Sequence, residues 1–198
     1  MHILLAFDKF KDSMTAWEAC DTARETLQRI RPTWQVTTAP LTDGGEGFCE
    51  ILTRALYGEF ERVPVFGPRA DPKYASLGFV DAAKIPEAAR QLMSIPPRGN
   101  VAIIEMAQAS GLESVPSAMR TPWKTSSYGT GQLIAHAADN GACAIILGVG
   151  GSATIDLGLG ALEAIGLELL DEGGNVISHA NPSQWSRVML LRGDIWPH

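Results

Sequence analysis

Three stretches of this chain set glycines beside hydroxyl or carboxyl side chains, a combination suited to holding an anion and handling a proton. The first is Gly148-Val149-Gly150-Gly151-Ser152-Ala153-Thr154. Its glycines let the backbone turn sharply and approach a ligand with no Cβ in the way, and Ser152 and Thr154 add hydroxyls. The second is Thr42-Asp43-Gly44-Gly45-Glu46-Gly47, with two glycines between two carboxylates at the start of an expected helix. Asp43 there caps the helix, orients Mg²⁺ or takes a hydroxyl proton. The third, Thr125-Ser126-Ser127-Tyr128-Gly129-Thr130-Gly131, also precedes a helix. Free N–H groups and the positive dipole end make helix N-termini receptive to phosphates. Two strand ends add chemistry: Asp8-Lys9-Phe10-Lys11-Asp12-Ser13 after the first strand, and Glu105 followed by Ser110-Gly111. Lys11 suits a carboxylate or phosphate, and Asp8 a proton or metal.

Several common devices are absent. Gly148 to Thr154 contains no lysine, so there is no Walker A loop, and Ser152 lacks the second glycine of a nucleophile elbow. The histidines His2, His136, His179 and His198 show no metal-ligand spacing. One generic motif does match. Gly148-Val149-Gly150-Gly151-Ser152-Ala153 fits the dinucleotide fingerprint, with Asp171 ending the next strand, and taken alone it points to an NAD-dependent oxidoreductase.

The elements that must carry these residues alternate between short apolar runs and amphipathic stretches, so the expected class is α/β. Strands are expected at 2–7, 35–39, 62–66, 74–80, 101–105, 144–147 and 167–170. Thr15 and Glu18 are spaced as a capping box ahead of Trp17, Cys20, Ala23, Leu27 and Ile30, one apolar stripe of a helix closed by Pro32. Ala144 to Leu147 reads as a strand buried on both faces. With the glycine turn, a helix over 156–165 and the strand at 167–170, it is expected to form a βαβ unit. The character changes at residues 58–63, which suggests an N-terminal unit 1–62 and a second α/β unit 63–198.

The chain has 198 residues, 45% hydrophobic and 19% charged, enough for one generous α/β domain or two small ones with a real core. A net charge of −6 argues against nucleic acid or an anionic membrane as partner. No apolar run approaches a membrane span. Cys20, Cys49 and Cys143 are odd in number with no CxxC, as expected of reduced, mostly packed thiols in the cytoplasm.

Five blocks, AFDKFKDSMTA (6–16), PLTDGGEG (40–47), EMAQASGL (105–112), TSSYGTGQLI (125–134) and GVGGSATIDLGLGALEAIG (148–166), together resemble the bacterial glycerate kinase family. The resemblance implies a Rossmann-like domain, incomplete here, plus a second α/β domain carrying the glycine-rich GGSAT turn. It also implies ATP- and Mg²⁺-dependent phosphorylation of D-glycerate, most often at the 2-hydroxyl, and weakens the oxidoreductase reading sharply. Under it, Asp8, Lys11, Asp43 and Glu46 are the catalytic candidates. Lys11 meets the glycerate carboxylate or the migrating phosphoryl group, and Asp43 or Asp8 serves as base. Glu46 and Glu105 are metal or hydroxyl partners. Ser13, Gly44, Gly45, Glu105, Ser110, Gly111, Thr130, Gly131, Gly150, Gly151, Ser152 and Thr154 are binding candidates, and Asp156 is the Mg²⁺ candidate. The chain departs from the family at Lys9, where Ser is common, and at Ile155 and Leu157, where Asn and Gly are common. Residues 82–99 look like an insertion. The family continues past this chain's end, so the expectation is the N-terminal portion of such a kinase. The other readings are an inactive relic and a chain that survives as a homo-oligomer, its β edges prone to pairing.

Overall fold

The computed structural model describes residues 1–193. His198 and the end of the 184–198 tail lie outside them. The first strand, β1 (His2–Leu5), pairs in parallel with β2 (Gln35–Thr38), joined by helix α1 (Ala16–Ile30). The capping box forms as expected. Thr15 Oγ1 accepts from Glu18 N at 3.2 Å, and the Glu18 carboxylate accepts from Thr15 N at 2.8 Å. Ala16, Ala19 and Cys20 form the buried face of α1, whereas Ile30, at the expected end of its stripe, is exposed.

A second, four-stranded sheet runs in the order β3 (Glu59–Phe66), β4 (Pro72–Asp81), β5 (Asn100–Glu105), β6 (Ala142–Gly148). The first two pairings are antiparallel and the last is parallel. Helices cover both faces. Val101 and Ile103 of β5 pack with Cys49 of α2 (Phe48–Ala55), while Ala102 and Ile104 pack with Leu133 and Ala137 of α5 (Tyr128–Asp139). Alternate residues point to opposite faces, so a strand covered on both sides reads as an unbroken apolar run. A short α3 (Glu87–Leu92) precedes β5, and α4 (Met106–Ser110) follows it directly.

Two expectations about the C-terminal third are corrected. Residues 144–147 are only partly buried, because β6 is the edge strand of its sheet among the described residues. The expected βαβ unit does not form. Helix α6 (Leu159–Ala164) starts later than residue 156, and β7 (Glu168–Leu170) pairs antiparallel with β8 (Leu190–Arg192), outside the sheet that holds β6. The delay has a local cause. Leu157 (φ 55°) and Gly158 (φ 75°) both take the left-handed conformation, which ends any helix attempting to start at Asp156. Leu157 is forced into a backbone region that glycine occupies without strain. The dinucleotide fingerprint therefore lacks the strand–turn–helix–parallel strand frame that gives it meaning. Asp171 is occupied too: its Oδ1 accepts from Gly173 N and Asn175 N at 2.9 Å each.

Candidate active site

The glycine turn after β6 is clamped on two sides. Gly150 N donates to Gly44 O at 2.9 Å, which seats it on the turn after β2. On its other flank Leu112 N donates to Gly151 O at 2.8 Å, Ala153 N donates to Ser110 O at 2.9 Å, and Gly111 bridges Ser152. Thr125 Oγ1 donates to Ala153 O at 2.8 Å, and Thr154 Oγ1 donates to Thr125 O at 3.0 Å. Ser152 Oγ is turned onto Thr154, accepting from its N–H and donating to its carbonyl, both at 3.2 Å. The blocks that lie far apart in sequence are thus tied by backbone hydrogen bonds into one body of loops.

Two of the three expected anion sites are filled by the protein's own carboxylates. At the start of α5, Asp156 Oδ2 accepts from Ser127 N at 2.7 Å, Ser127 Oγ at 2.8 Å, Gly160 N at 3.2 Å and Ser126 Oγ at 3.4 Å. Its Oδ1 accepts from Gly158 N at 3.1 Å. Buried at 2% exposure with both oxygens engaged, Asp156 is an anchor between α5 and α6 and loses the Mg²⁺ assignment. At the start of α2 the cap residue Gly47 has no side chain to offer, and Glu105 reaches across from the end of β5. Its Oε2 accepts from Cys49 N at 3.2 Å. Glu105 is 2% exposed, so its expected role as a metal or hydroxyl partner gives way to capping. The third site, the turn at 148–151, is not at the start of α6, which begins only at Leu159.

Other binding candidates also turn inward. Ser110 Oγ and Thr130 Oγ1, both buried, share a hydrogen bond of 2.8 Å. A Cβ on Gly131 would strike Ala161 O, so this glycine serves the close approach of α5 and α6. A Cβ on Gly111 would strike Ala107 O within the turn that follows α4. None of these four residues borders the cleft that stays open.

What remains open is a cleft of about 660 Å³. Lys9, Lys11, Ser13, Glu46, Gly151 and Arg120 border it, together with the capping box at the start of α1. Lys11, Ser13, Glu46 and Gly151 are thus brought together as the sequence suggested. Asp8 and Asp43 stand behind Lys9: its Nζ donates to Asp43 Oδ1 at 3.0 Å and lies 3.9 Å from Asp8 Oδ1. Gly44 and Gly45 press against the turn at 148–150, with Asp43 Oδ1 also accepting from Gly45 N at 3.0 Å. Arg120 was missed because it lies in an irregular segment with no motif around it. Its Nε donates to Val115 O at 3.1 Å, which fixes the guanidinium at the rim.

Burial pushes the Glu105 carboxyl upward from its ordinary range, against the N–H donors of Cys49 and Gly47 and the Gln108 side chain, and the charge of Glu46 adds to the rise. Burial likewise lifts the Cys49 thiol to about 11, so it is an inert packed group. For a carboxyl whose folded value exceeds its unfolded one, the stabilising contribution is complete below the unfolded pKa and is lost as pH rises through the folded pKa. Glu105→Gln keeps an acceptor for the α2 N–H groups without the charge. Its melting temperature relative to the parent should therefore rise as pH climbs from about 4 to neutrality. Parallel pH profiles for the two proteins would disprove the burial effect.

The family model described as glycerate kinase family matches residues 3–191. A glycerate kinase of Halalkalibacterium halodurans is 43% identical over 175 residues, covering 88% of this chain and 42% of that protein. A glycerate 2-kinase of Escherichia coli is 39% identical over 183 residues, covering 92% of this chain and 44% of that protein. A solved structure described as a glycerate kinase 2 from Salmonella typhimurium LT2 superposes with a TM-score of 0.72 at 40% identity. The overlap spans 96% of this chain and 46% of that one. The chain thus spans under half the length of the relatives it matches.

Proposed function

We propose, from the premise that this chain belongs to the glycerate kinase family, that it serves the ATP-dependent phosphorylation of D-glycerate, with the 2-hydroxyl as acceptor. The similarity to the Escherichia coli glycerate 2-kinase favours that hydroxyl over the 3-hydroxyl. The observation that carries the reading is the convergence of the loops after β1 and β2 with the turn after β6 on one cleft bordered by Lys9, Lys11 and Arg120.

Phosphoryl transfer asks the protein mainly for positioning and charge neutralisation, because the transition state is loose and its charge sits on peripheral oxygens. Lys11 and Arg120 meet the substrate carboxylate and the migrating phosphoryl group, and Ser13 and the Gly151 backbone orient them. The Lys9 hydrogen bond, then the Gly45 N–H, hold Asp43 below the usual carboxylate range. A carboxylate so stabilised is a weak base, and its task is to orient the acceptor hydroxyl and receive its proton late. Of the carboxylates that border the cleft, Glu46 is the one that would hold Mg²⁺ beside the glycine turn, since its Oε1 would lie 3.2 Å from a Cβ placed on Gly151. Glu46 would hold the ion alongside phosphate oxygens, and the chemistry supplied there would be charge neutralisation.

The test is ADP release with and without D-glycerate, with the product identified by phosphorus NMR. Asp43→Asn and Lys11→Ala are each expected to lower turnover by about 100-fold or more. Near-parental rates in both would remove these assignments. ADP release no greater than the enzyme-free control would favour the non-catalytic reading of the chain instead.

A further inference from the structure

Lys9 is not among the catalytic or binding candidates read from the sequence, yet its side chain is only 13% exposed, an uncommon degree of burial for a lysine. Among the described residues its ammonium makes one close bond, to Asp43 Oδ1 at 3.0 Å, across 34 residues of sequence. The same oxygen accepts from Gly45 N at 3.0 Å, and neighbouring Gly44 O accepts from Gly150 N at 2.9 Å. Its own backbone N–H donates to Asp8 Oδ1 at 2.7 Å, which fixes where the lysine leaves β1. One ammonium therefore links the loop after β1 to the glycine turn after β2, and through that turn to the glycine turn after β6.

We infer that Lys9 is a positioning residue: its ammonium fixes the Asp43 carboxylate and, through Gly45, holds the two glycine turns in register behind the cleft. The inference rests on the phosphoryl-transfer reading for its consequence but not for its geometry. The bonds that Lys9 Nζ and Gly45 N donate to Asp43 both fall on Oδ1, which leaves Oδ2 for the acceptor hydroxyl. Asp43 is 62% exposed, and a bond to so exposed a carboxylate adds little to global stability. Its effect belongs to local order. Burial works against the charge on Lys9, but the bond and charge of Asp43, with Asp8 and Glu46 near, outweigh it and raise its pKa. The ammonium thus stays charged throughout the working range.

The experiment compares the parent with Lys9→Gln and Lys9→Arg by hydrogen exchange at residues 42–47 and 148–152, and by kcat and KM in ADP release. Lys9→Gln is expected to speed exchange at Gly45 and Gly150, and to lower kcat by about 10- to 100-fold with the KM for D-glycerate little changed. Lys9→Arg should recover most of both. Parental exchange in Lys9→Gln overturns the inference, as does a parental kcat. If the parent shows no turnover, the reaction reading fails by itself and exchange still decides whether Lys9 holds the turns. Should Lys9→Gln not fold, Asp43→Ala removes the acceptor of the same bond from its exposed side. Unchanged exchange at Gly45 and Gly150 in that variant overturns the inference too.

Discussion

Gly150→Ala should lower turnover by about 100-fold while leaving the folded core in place. A Cβ at this position would stand 2.6 Å from Gly45 Cα, 2.7 Å from Gly45 N and 3.0 Å from Gly44 C. All three are backbone atoms, so no side chain can swing aside, and one of the two glycine turns has to retreat. The hydrogen bond from Gly150 N to Gly44 O is the direct link between them and lengthens or breaks with that retreat. Near 1 Å of displacement in a site that works by positioning is enough for a loss of this size. The sheet core formed by Ile103, Ile104 and Leu77 lies elsewhere, so the far-ultraviolet circular dichroism spectrum should match the parent. Near-parental kcat in Gly150→Ala would show that the packing of the two turns is immaterial to the reaction.

Asp156→Ala is expected to cost about 3–5 kcal/mol of unfolding free energy, read from urea denaturation. Removing the carboxylate strands the N–H groups of Ser127 and Gly160 and the Ser127 hydroxyl, all buried around one oxygen, as well as the Gly158 N–H on the other. A buried donor left without an acceptor costs about 1–3 kcal/mol. The loss is moderated at Gly158, which is only partly buried. Asp156→Asn retains one acceptor oxygen and should lose less. A change under about 1 kcal/mol in Asp156→Ala would mean that the α5–α6 junction is held by packing alone.

Both predictions turn on contacts between residues that local patterning treats separately. The capping box of Thr15 and Glu18 and the strands β3, β4 and β5 were legible because each depends on neighbours within a few residues or on one period. Lys11, Ser13, Glu46 and Gly151 border one cleft because each follows the end of a strand, where open α/β sheets gather ligands. The roles of Asp156 and Glu105 were not legible. A carboxylate that caps a distant helix and one that awaits a ligand carry the same letter, and only the count of donors around the oxygens separates them. The burial of Lys9 was hidden in the same way, since a lysine in a loop between two acids reads as a solvated charge until its partner across 34 residues is known.

Fold class and most elements follow from order along the chain, because hydrophobic period, caps and turn residues act within one or two turns of backbone. Which carboxylates are consumed as internal anions, which glycines exist for backbone to pass backbone, and which cations face open space arise only when the loops close on one another. Hydrogen bonds and sub-ångström clearances between segments dozens of residues apart settle those assignments, and no local pattern encodes a distance of that kind.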